Sequence, residues 1–429
     1  MSDRKIPAAA LWALGLTQII GYGTLYYSFS ILVPSIALEF AWPEQWVFGA
    51  LSASLLAGGL FAPTAGRWAD RFGAGRVMTF GSAAAAAALV ACALAPGRVS
   101  FMAALMAMEL ASAFVLYSAA FVAIVQIGGA RAQRSITHLT LIAGFASTLF
   151  WPLTAALHEY LTWREVYLVF AGINVAVCLP IHAWLARLSR RADKSASAIP
   201  AAIGPVGGPV AFTPRDRSRV FLLMLGGFAI EGFVLSSILV HMVPLTTALG
   251  LGSAGLVVTT LFGPSQVASR LINMLFGGRL AQTWLAVIGA TLLPLGLVAL
   301  LATTPSLPGA IAFVILFGLG SGLASIVGGT LPLELFGRER YGARLGWVTA
   351  ARQFSAALAP FALAMAMAGI GVQPSLWLTA AVGMLGILAF SAIVLIRRQP
   401  LAPRQRTDTA RSVDLCATPC RRPSALDGL

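Results

Sequence analysis

The chain alternates between long apolar runs and short gaps, and this alternation constrains its fold more than any other feature. A helix needs about 20 consecutive apolar residues to cross a bilayer. Twelve runs of this kind are present, at residues 8–37, 46–65, 77–96, 100–127, 138–157, 166–186, 220–248, 255–277, 285–303, 308–333, 345–368 and 374–396. Because backbone polar groups inside a bilayer must be satisfied within the protein, the pattern predicts an all-α integral membrane protein with twelve transmembrane helices.

The composition excludes an ordinary soluble protein. Of the 429 residues, 58% are hydrophobic and 10% are charged, whereas a soluble domain carries about 25% charged residues. The net charge of +14 does not indicate nucleic-acid binding, because the basic residues fall in short gaps without a long basic stretch interleaved with aromatic residues. The expected partner is the lipid bilayer, and no nucleic acid is expected.

The chain divides into two similar halves. Residues 187–219 are rich in Ser, Ala, Gly, Pro and Arg, as a linker is. The segment GRWADRFGAGR begins at Gly66 and GRLAQTW begins at Gly278, an offset of 212 residues. We therefore predict pseudo-symmetric six-helix halves at 1–186 and 220–400, a cytoplasmic linker at 187–219 and a disordered cytoplasmic tail at 401–429.

The positions of the basic residues predict the orientation. Of the 29 Lys and Arg residues, 25 lie at the termini or in gaps that follow even-numbered helices. The gaps after odd-numbered helices hold only Arg98 and Arg164, and the remaining two, Arg270 and Arg352, lie inside apolar runs. Because positive residues stay on the cytoplasmic side, both termini and the linker are predicted to be cytoplasmic.

The segment after the second helix resembles a known signature. Residues 66–73, GRWADRFG, resemble the loop 2–3 motif of the major facilitator superfamily, roughly G-x-L-a-D-r-x-G-r-[RK]. Trp68 replaces the usual Leu, Ala74-Gly75 replace the usual basic pair, and Gln282 stands where the second copy would have its acid. With twelve runs and a central linker, the resemblance covers residues 8–400 and implies the major facilitator fold.

The first helix resembles two branches of that superfamily. LTQIIGYGTLYYSFSILVP, residues 16–34, is similar to the start of bacterial monocarboxylate and oxalate/formate-type transporters and of the related arsenite-efflux branch, the ArsK type. The resemblance implies a secondary active transporter of the bacterial inner membrane, monomeric, working by alternating access. The first hypothesis is proton-coupled efflux of arsenite or a related metalloid. The alternative is a proton-coupled monocarboxylate transporter, and a remote one is a non-transporting membrane sensor.

Enzyme and cofactor signatures are missing from the sequence. HExxH, P-loop and GxSxG motifs do not occur, so we expect no enzyme, cofactor or metal site. Cys416 and Cys420 in the tail are spaced more widely than CxxC and have no nearby His. Binding of a soft metal or metalloid by this pair is the alternative. Without a nucleotide-binding motif, transport is expected to draw on a proton or substrate gradient.

The signature itself suggests a gate, with Gly66, Asp70, Arg71 and Gly73 as its residues. The two glycines permit a tight turn and a close approach of helices. Asp70 lies near a helix end, where it is able to pair with an arginine across the contact between the halves, and that contact would break when the cytoplasmic side opens. The alternative is a solvated turn that only obeys the positive-inside rule.

Arg270 is costly to place in a membrane interior and therefore needs a partner or a cavity. Gln266, Arg270 and Asn273 are spaced i, i+4, i+7 and share one helical face. We predict an inward polar stripe in which all three contact substrate, since a guanidinium suits an anion. The alternative for Arg270 is a structural pair with an inward glutamate. Arg352 in the eleventh helix is either a substrate contact or a structural pair.

Two glutamates inside apolar runs, Glu109 and Glu231, are the candidate proton carriers. A carboxyl group whose cationic partner moves between states is able to take up and release a proton during a transport cycle. The alternative for Glu109 is a fixed ion pair with Arg270 or Arg352.

Tyr22 and Tyr26 lie one helical turn apart in the first helix. At that depth they are predicted to line the substrate path and to offer hydroxyl groups to a solute. Interfacial anchoring is the alternative. His241 is able to titrate, but a lone histidine is more often packed.

Overall fold

The computed structural model describes residues 6–128, 132–197, 212–251, 258–277 and 280–398. This part of the chain contains helices and no β-strand. The helices, with their bounds, are α1 Ala8–Glu39, α2 Glu44–Phe72, α3 Ala74–Ala93, α4 Arg98–Ile127, α5 Ala132–Tyr160, α6 Trp163–Ser189, α7 Pro214–Ala248, α8 Phe262–Phe276, α9 Gln282–Thr303, α10 Leu307–Phe336, α11 Tyr341–Ile370 and α12 Val372–Arg398.

Within the described ranges, eleven of these helices are long and apolar enough to cross a membrane. The described part of α8 is shorter, at 15 residues, and the predicted start of this helix at 255 lies outside the described residues. All twelve predicted runs coincide with a helix. The all-α membrane architecture predicted from the sequence is confirmed.

Four helices are interrupted along their length. α1 contains a π-helical turn at Gly23–Tyr27 and α6 another at Asn174–Cys178. α4 is extended at Leu116, and α5 turns at 144–145. Such irregular turns reorient side chains and often mark functional positions in helices. A Cβ on Gly23 would stand 2.1 Å from the ring of Phe150, so only glycine lets the irregular turn of α1 pack on α5.

Each half has its own apolar core. One cluster of the first half lies around Phe101 and Trp163, and two of the second half lie around Phe313 and around Phe228. A fourth cluster belongs to the first half but includes Tyr341 of α11, so the two halves share part of their packing. The large apolar side chains on the outside suit contact with lipid.

The bounds of α2 differ from those expected. The prediction ended this helix at residue 65, but the helix continues to Phe72 and ends at Gly73, whose φ of +88° is unstrained only for glycine. Gly66 and Asp70 therefore lie in the last two turns of α2, and the turn itself is at Gly73. The polar and charged residues after 65 continue the helix because it extends beyond the apolar core.

The predicted linker is entered by helix from both sides. The bounds given for α6 are those of its apolar span; the helical segment that begins at Leu179 continues beyond Ser189 to Ser197, and α7 begins at Pro214. Residues 198–211 and the predicted disordered tail at 401–429, with Cys416 and Cys420, lie outside the described residues. Gly278, the start of the second copy of the signature, also lies outside them.

Candidate functional site

A cavity of about 490 Å³ lies between the two halves. α1, α2 and α4 line it from the first half, and α7, α10 and α11 from the second. Leucine and other apolar side chains supply much of its wall. The polar side chains that line it are Tyr22, Tyr26, Glu109, Ser112, Tyr117, Ser118, Ser236, Ser321, Ser325, Thr349, Arg352 and Gln353.

Glu109 of α4 is one of the two charged residues among those that line the cavity, and only 3% of its surface is exposed. Its Oε2 accepts a hydrogen bond from Ser112 Oγ at 3.2 Å. Its Oε1 has no hydrogen-bond partner within the described chain. The same residues include no Lys or Arg nitrogen within 4.0 Å of this carboxyl group. The fixed ion pair with Arg270 or Arg352 is therefore not formed in this conformation.

Arg352 of α11 is the other charged residue of the cavity wall. Its backbone packs against Gly232 of α7, where an added Cβ would stand 3.0 Å from the Arg352 carbonyl oxygen. Its Nη1 lies 3.2 Å from where a Cβ of Gly328 would stand. The two glycines thus leave room for the arginine between α7 and α10. Among the described residues the guanidinium has no hydrogen-bond or salt-bridge partner, which leaves its N–H groups available to a solute.

Glu231 of α7 is buried, with 4% of its surface exposed, and it is not among the residues that line the cavity. Its Oε1 lies 3.8 Å from where a Cβ of Gly289 would stand, so the carboxyl group points toward α9. Its Oε2 has no hydrogen-bond partner within the described ranges. Arg352 interacts with it electrostatically. The charge of Arg352 therefore acts on a buried carboxyl group behind the cavity wall, without an ion pair within 4.0 Å among the described residues.

Arg270 is buried, as predicted, but it does not line the cavity. Its Nε donates to Ser325 Oγ of α10 at 3.1 Å, and its Nη1 donates to the Thr140 carbonyl oxygen of α5 at 3.2 Å. That carbonyl lies beside the turn that interrupts α5, and Gly144 of the turn packs against the guanidinium. No glutamate lies within 4.0 Å of Arg270 in the described part of the chain. Arg270 thus joins the two halves.

The other residues of the α8 stripe also lie behind the cavity wall. Gln266 Nε2 donates to Ser321 Oγ of α10 at 2.6 Å. Asn273 is buried beside Gly277 and lines no part of the cavity. The spacing correctly predicted which face of α8 is polar and inward. The face contacts α10, and Gln266 and Arg270 hold two serines, Ser321 and Ser325, that line the cavity themselves.

Tyr22 and Tyr26 both line the cavity; Tyr22 directly precedes the irregular turn in α1, and Tyr26 lies within it. The ring of Tyr22 lies 4.7 Å from that of Tyr117, and the ring of Tyr26 lies 5.3 Å from that of Tyr27. These aromatic contacts orient the rings, so that one wall of the cavity combines flat apolar surface with phenolic hydroxyl groups.

Sequence reasoning missed several polar residues of the wall. Ser112 follows Glu109 by three residues, Thr349 precedes Arg352 by three, and Gln353 follows Thr349 by four, so each of these pairs shares a helical face. A spacing of three or four residues along the helix is the signal in the sequence that could have identified them. Ser118 and Thr349, one from each half, form a hydrogen bond of 2.9 Å between their hydroxyl groups.

The predicted gate residues lie where α2 meets α11, at the end of the bundle that carries the turn between α2 and α3. Asp70 accepts hydrogen bonds from the backbone N–H groups of Gly342 and Ala343, both at 2.8 Å. The predicted partner was an arginine: among the described residues no arginine nitrogen lies within 4.0 Å of this carboxylate, although Arg344 of α11 interacts with it electrostatically. The first turn of α11 has N–H groups without helical partners, and the positive end of its dipole favours a carboxylate.

Glycines bring the two backbones together at the same contact. A Cβ on Gly66 would stand 2.0 Å from the Gly342 carbonyl oxygen, and a Cβ on Gly346 would stand 2.4 Å from the Ala62 carbonyl oxygen. We call this contact the α2–α11 gate, after the role that the sequence analysis predicted for it; its residues are Ala62, Gly66, Asp70, Gly342, Ala343 and Gly346. Gly73 ends α2 beside it. Arg71 does not take part, and its guanidinium lies 5.1 Å from the Phe72 ring centroid.

The histidine and cysteine residues of the described chain do not line the cavity. His241 Nδ1 lies 2.9 Å from the Ser237 carbonyl oxygen, one turn earlier in α7, which fits the packed alternative. Cys92 and Cys178 are free and buried in the first half. The described residues contain no cluster of three metal-ligating side chains.

Comparisons with known proteins agree on one family. The Major Facilitator Superfamily model matches residues 14–286. The human organic anion transporter MFSD10 (TETRAN) superimposes with a TM-score of 0.67 at 15% identity, over 89% of this chain and 98% of that one. The proton:xylose symporter XylE, bound to 6-bromo-6-deoxy-D-glucose, gives 0.63 at 14% identity, over 89% and 95%. No curated protein sequence matched.

The family model spans more than half of the chain, and the two solved structures share its fold over nearly their whole length. The two halves, the cavity between them and the contact of α2 with α11 fit that fold. Members of the family bind small-molecule substrates and use ion or substrate gradients, so the protein is a secondary transporter and not an enzyme. The chain is a multi-pass membrane protein that belongs to the Major Facilitator Superfamily.

Proposed function

We propose that the protein transports a small organic anion, a carboxylate, together with a proton. One observation carries the proposal: Glu109 and Arg352 are the charged residues of the cavity wall, they come from opposite halves, and neither has an ion-pair partner among the described residues. An unpaired charge inside a membrane protein is costly and is retained where it acts on a solute or an ion.

Arg352 is the proposed anion ligand. A guanidinium offers parallel N–H groups that match the two oxygens of a carboxylate. Thr349 and Gln353 beside it, and Tyr22 and Tyr26 across the cavity, supply further hydrogen bonds. Gln266 and Arg270, which the sequence suggested as direct ligands, act in this proposal by positioning Ser321 and Ser325.

Glu109 is the proposed proton carrier. When it is protonated, the positive charge of Arg352 is unopposed in the cavity and attracts an anion. When it is ionised, its negative charge opposes binding of the anion. Binding of the proton and binding of the anion are thereby coupled. The proton and the anion together cross the membrane without net charge. Glu231 is a second candidate, because its carboxyl group interacts with Arg352 from behind the cavity.

The α2–α11 gate is proposed to alternate with a contact at the opposite end of the bundle. Asp70 holds α11 while the gate is closed and releases it when the halves rock apart. From the distribution of basic residues, the gate end is assigned to the cytoplasmic side of the membrane, and the resemblance of residues 16–34 to bacterial transporters suggests that this is a bacterial inner membrane. The direction of net transport then follows the proton and substrate gradients.

Efflux of arsenite is the second candidate, and the hydroxyl groups of the cavity wall favour it. Arsenite is mostly neutral near pH 7 and would bind through hydrogen bonds, without need of Arg352. Capture by thiolates is not part of this candidate, because Cys92 and Cys178 are buried away from the cavity. The two candidate substrates therefore differ in whether they need Arg352: a carboxylate does, and arsenite does not.

Flux into proteoliposomes under an imposed pH gradient tests both candidates. Radiolabelled monocarboxylates and arsenite are offered in parallel to the wild type, Arg352→Gln, Glu109→Gln and the control Arg219→Gln, an exposed arginine of α7. We expect carboxylate flux that Arg352→Gln abolishes and that in Glu109→Gln no longer responds to the pH gradient. Arsenite flux that survives Arg352→Gln would favour the second candidate, and no flux of either would favour a sensor.

A further inference from the structure

A second cavity, of about 500 Å³, lies beside the α2–α11 gate and shares no lining residue with the central cavity. The first half contributes the turn between α2 and α3 and the adjacent ends of α4 and α6. The second half contributes the segment between α10 and α11. The transport mechanism proposed above makes no use of this space. We call it the arginine cavity, after Arg71, Arg76, Arg338 and Arg340, which line it.

The arginine cavity has a strong excess of positive charge. Its single acidic residue is Asp70, and both oxygens of that carboxylate already accept N–H groups of α11. Within the described residues, no carboxylate lies within 4.0 Å of any of the four guanidinium groups. The four guanidinium groups are exposed around one half-open space and repel each other through water, and an anion between them would remove that repulsion.

Two of the four arginines are held in costly positions. Arg338 donates Nη2 to the Val125 carbonyl oxygen of the other half at 2.6 Å, and its partial burial lowers its pKa because water is removed from the charge. Arg340 has a φ of +49°, a left-handed conformation that strains a residue with a Cβ. Glycine would relieve that strain, yet a long cation stands there at the edge of the cavity.

We propose that the arginine cavity binds a phosphate-bearing anion, coordinated by guanidinium groups from both halves. Phosphate oxygens accept the paired N–H groups of arginine in a fixed geometry. Because Arg71 and Arg76 belong to one half and Arg338 and Arg340 to the other, bound phosphate joins the halves beside Asp70. Binding therefore stabilises the closed α2–α11 gate. A soluble phosphate and a phospholipid headgroup present the same chemistry at this depth.

Binding is measured without transport, so the result does not depend on the proposed substrate. The full chain is purified in detergent and freed of lipid, and inorganic phosphate is titrated against sodium chloride of equal ionic strength while thermal unfolding is followed. In parallel the protein is placed in nanodiscs of phosphatidylcholine with or without phosphatidylglycerol. We expect an increase in unfolding temperature of several degrees with one of the two phosphate sources. An increase with inorganic phosphate alone would identify a soluble ligand. An increase with phosphatidylglycerol alone would identify a lipid.

The variants connect the effect to the cavity. Arg76→Gln with Arg340→Gln is expected to weaken the stabilisation at least tenfold in phosphate or lipid concentration. Arg340→Gly removes one charge while accepting the left-handed backbone, and it is expected to fold normally and lose part of the effect. Arg67→Gln is the matched control, since Arg67 lies on α2 outside the cavity and donates to Thr64. No stabilisation of the wild type by either source, or equal stabilisation of the control and the double variant, would overturn the proposal.

Discussion

The two copies of the internal repeat differ in the parts of the protein that they contact. In the first copy, Asp70 lies at the end of α2 and accepts N–H groups of α11, so it joins the two halves. In the second copy, Gln282 takes the place of the acid. Its N–H donates to Glu334 Oε2 at 2.8 Å, and its Oε1 accepts from Thr330 at 2.6 Å, both within the second half.

This difference assigns different tasks to equivalent positions. In the proposed mechanism, the first copy contributes to a contact that opens and closes. The second copy, in which Arg397 also forms an ion pair with Glu334, holds α9, α10 and α12 together. Replacement of an acid by an amide in one copy therefore does not imply loss of function. Such a replacement is expected where only one of two related surfaces forms the proposed gate.

The largest effect is expected from Gly66→Val. The new side chain would meet the Gly342 carbonyl oxygen, since even a Cβ would stand 2.0 Å from it. Overpacking costs about 1–3 kcal/mol, so the gate cannot close as it does in the wild type and flux should fall by about tenfold or more. The control is Gly49→Val on the same helix, where a Cβ meets nothing within 4 Å. Equal loss of flux in both variants would contradict a role for this contact.

A smaller effect is expected from Asp70→Asn. The substitution keeps the size of the side chain but removes its charge from the N-terminus of α11, an interaction of about 0.3–2 kcal/mol. The gate should open more often by about two- to thirtyfold. Thiol labelling of Gln353→Cys on the cavity wall, in a chain without the native cysteines, would measure access from the gate end. Unchanged labelling would show that Asp70 does not hold the gate closed.

Glu334→Gln, in the second copy, is expected to affect stability more than gating. It removes the ion pair with Arg397 and weakens the contact with Gln282, at a cost of about 1 kcal/mol. For a chain of 429 residues the unfolding temperature should fall by about 1 °C, while the labelling of Gln353→Cys stays as in the wild type. A change in labelling without a change in unfolding temperature would reverse the assignment of tasks.

Gln282→Asp is expected to have the smallest effect. It restores the acid that the signature has in the first copy, but it places a second carboxylate next to Glu334 and shortens the side chain that accepts from Thr330. We expect a loss of up to about 1 kcal/mol of stability from the like charges and no new contact between the halves. Thermal unfolding would measure the loss of stability, and the labelling assay would detect any new contact between the halves. A more closed gate would show that the second copy retains a gating partner.

Much of the architecture could be predicted from the sequence. The twelve helices follow from apolar run length, because the bilayer leaves a segment little choice but to form a helix. Helix ends were less predictable, as α2 shows, since charged residues such as Asp70 and Arg71 continue a helix beyond the apolar core. The sequence predicted that Tyr22 and Tyr26 line the substrate path, and both lie on the cavity wall; Glu109 and Arg352 lie there too, but the roles of all four stay predictions.

The α8 stripe shows where sequence reasoning ends. Helical spacing placed Arg270 and Asn273 on a buried face, and both are buried. Spacing carries no information on what lies opposite that face. The partners of Arg270 are a hydroxyl of α10 and a carbonyl oxygen at an interruption of α5, and the partners of Asp70 are backbone N–H groups. Backbone groups are present at every position, so no residue type in the sequence identifies them.

The sequence by itself determined that this chain crosses a membrane many times, that its halves are related and that a few charged residues lie inside. These properties depend on composition and on spacing along the chain, which the bilayer converts directly into structure. Only the tertiary structure decided that Arg352 and Glu109 share the central cavity, that Arg270 joins the halves, and that four arginines surround a second cavity. Each of those facts depends on the packing of helices that are distant along the chain, where close approach of glycines such as Gly66 and Gly342 sets the distances.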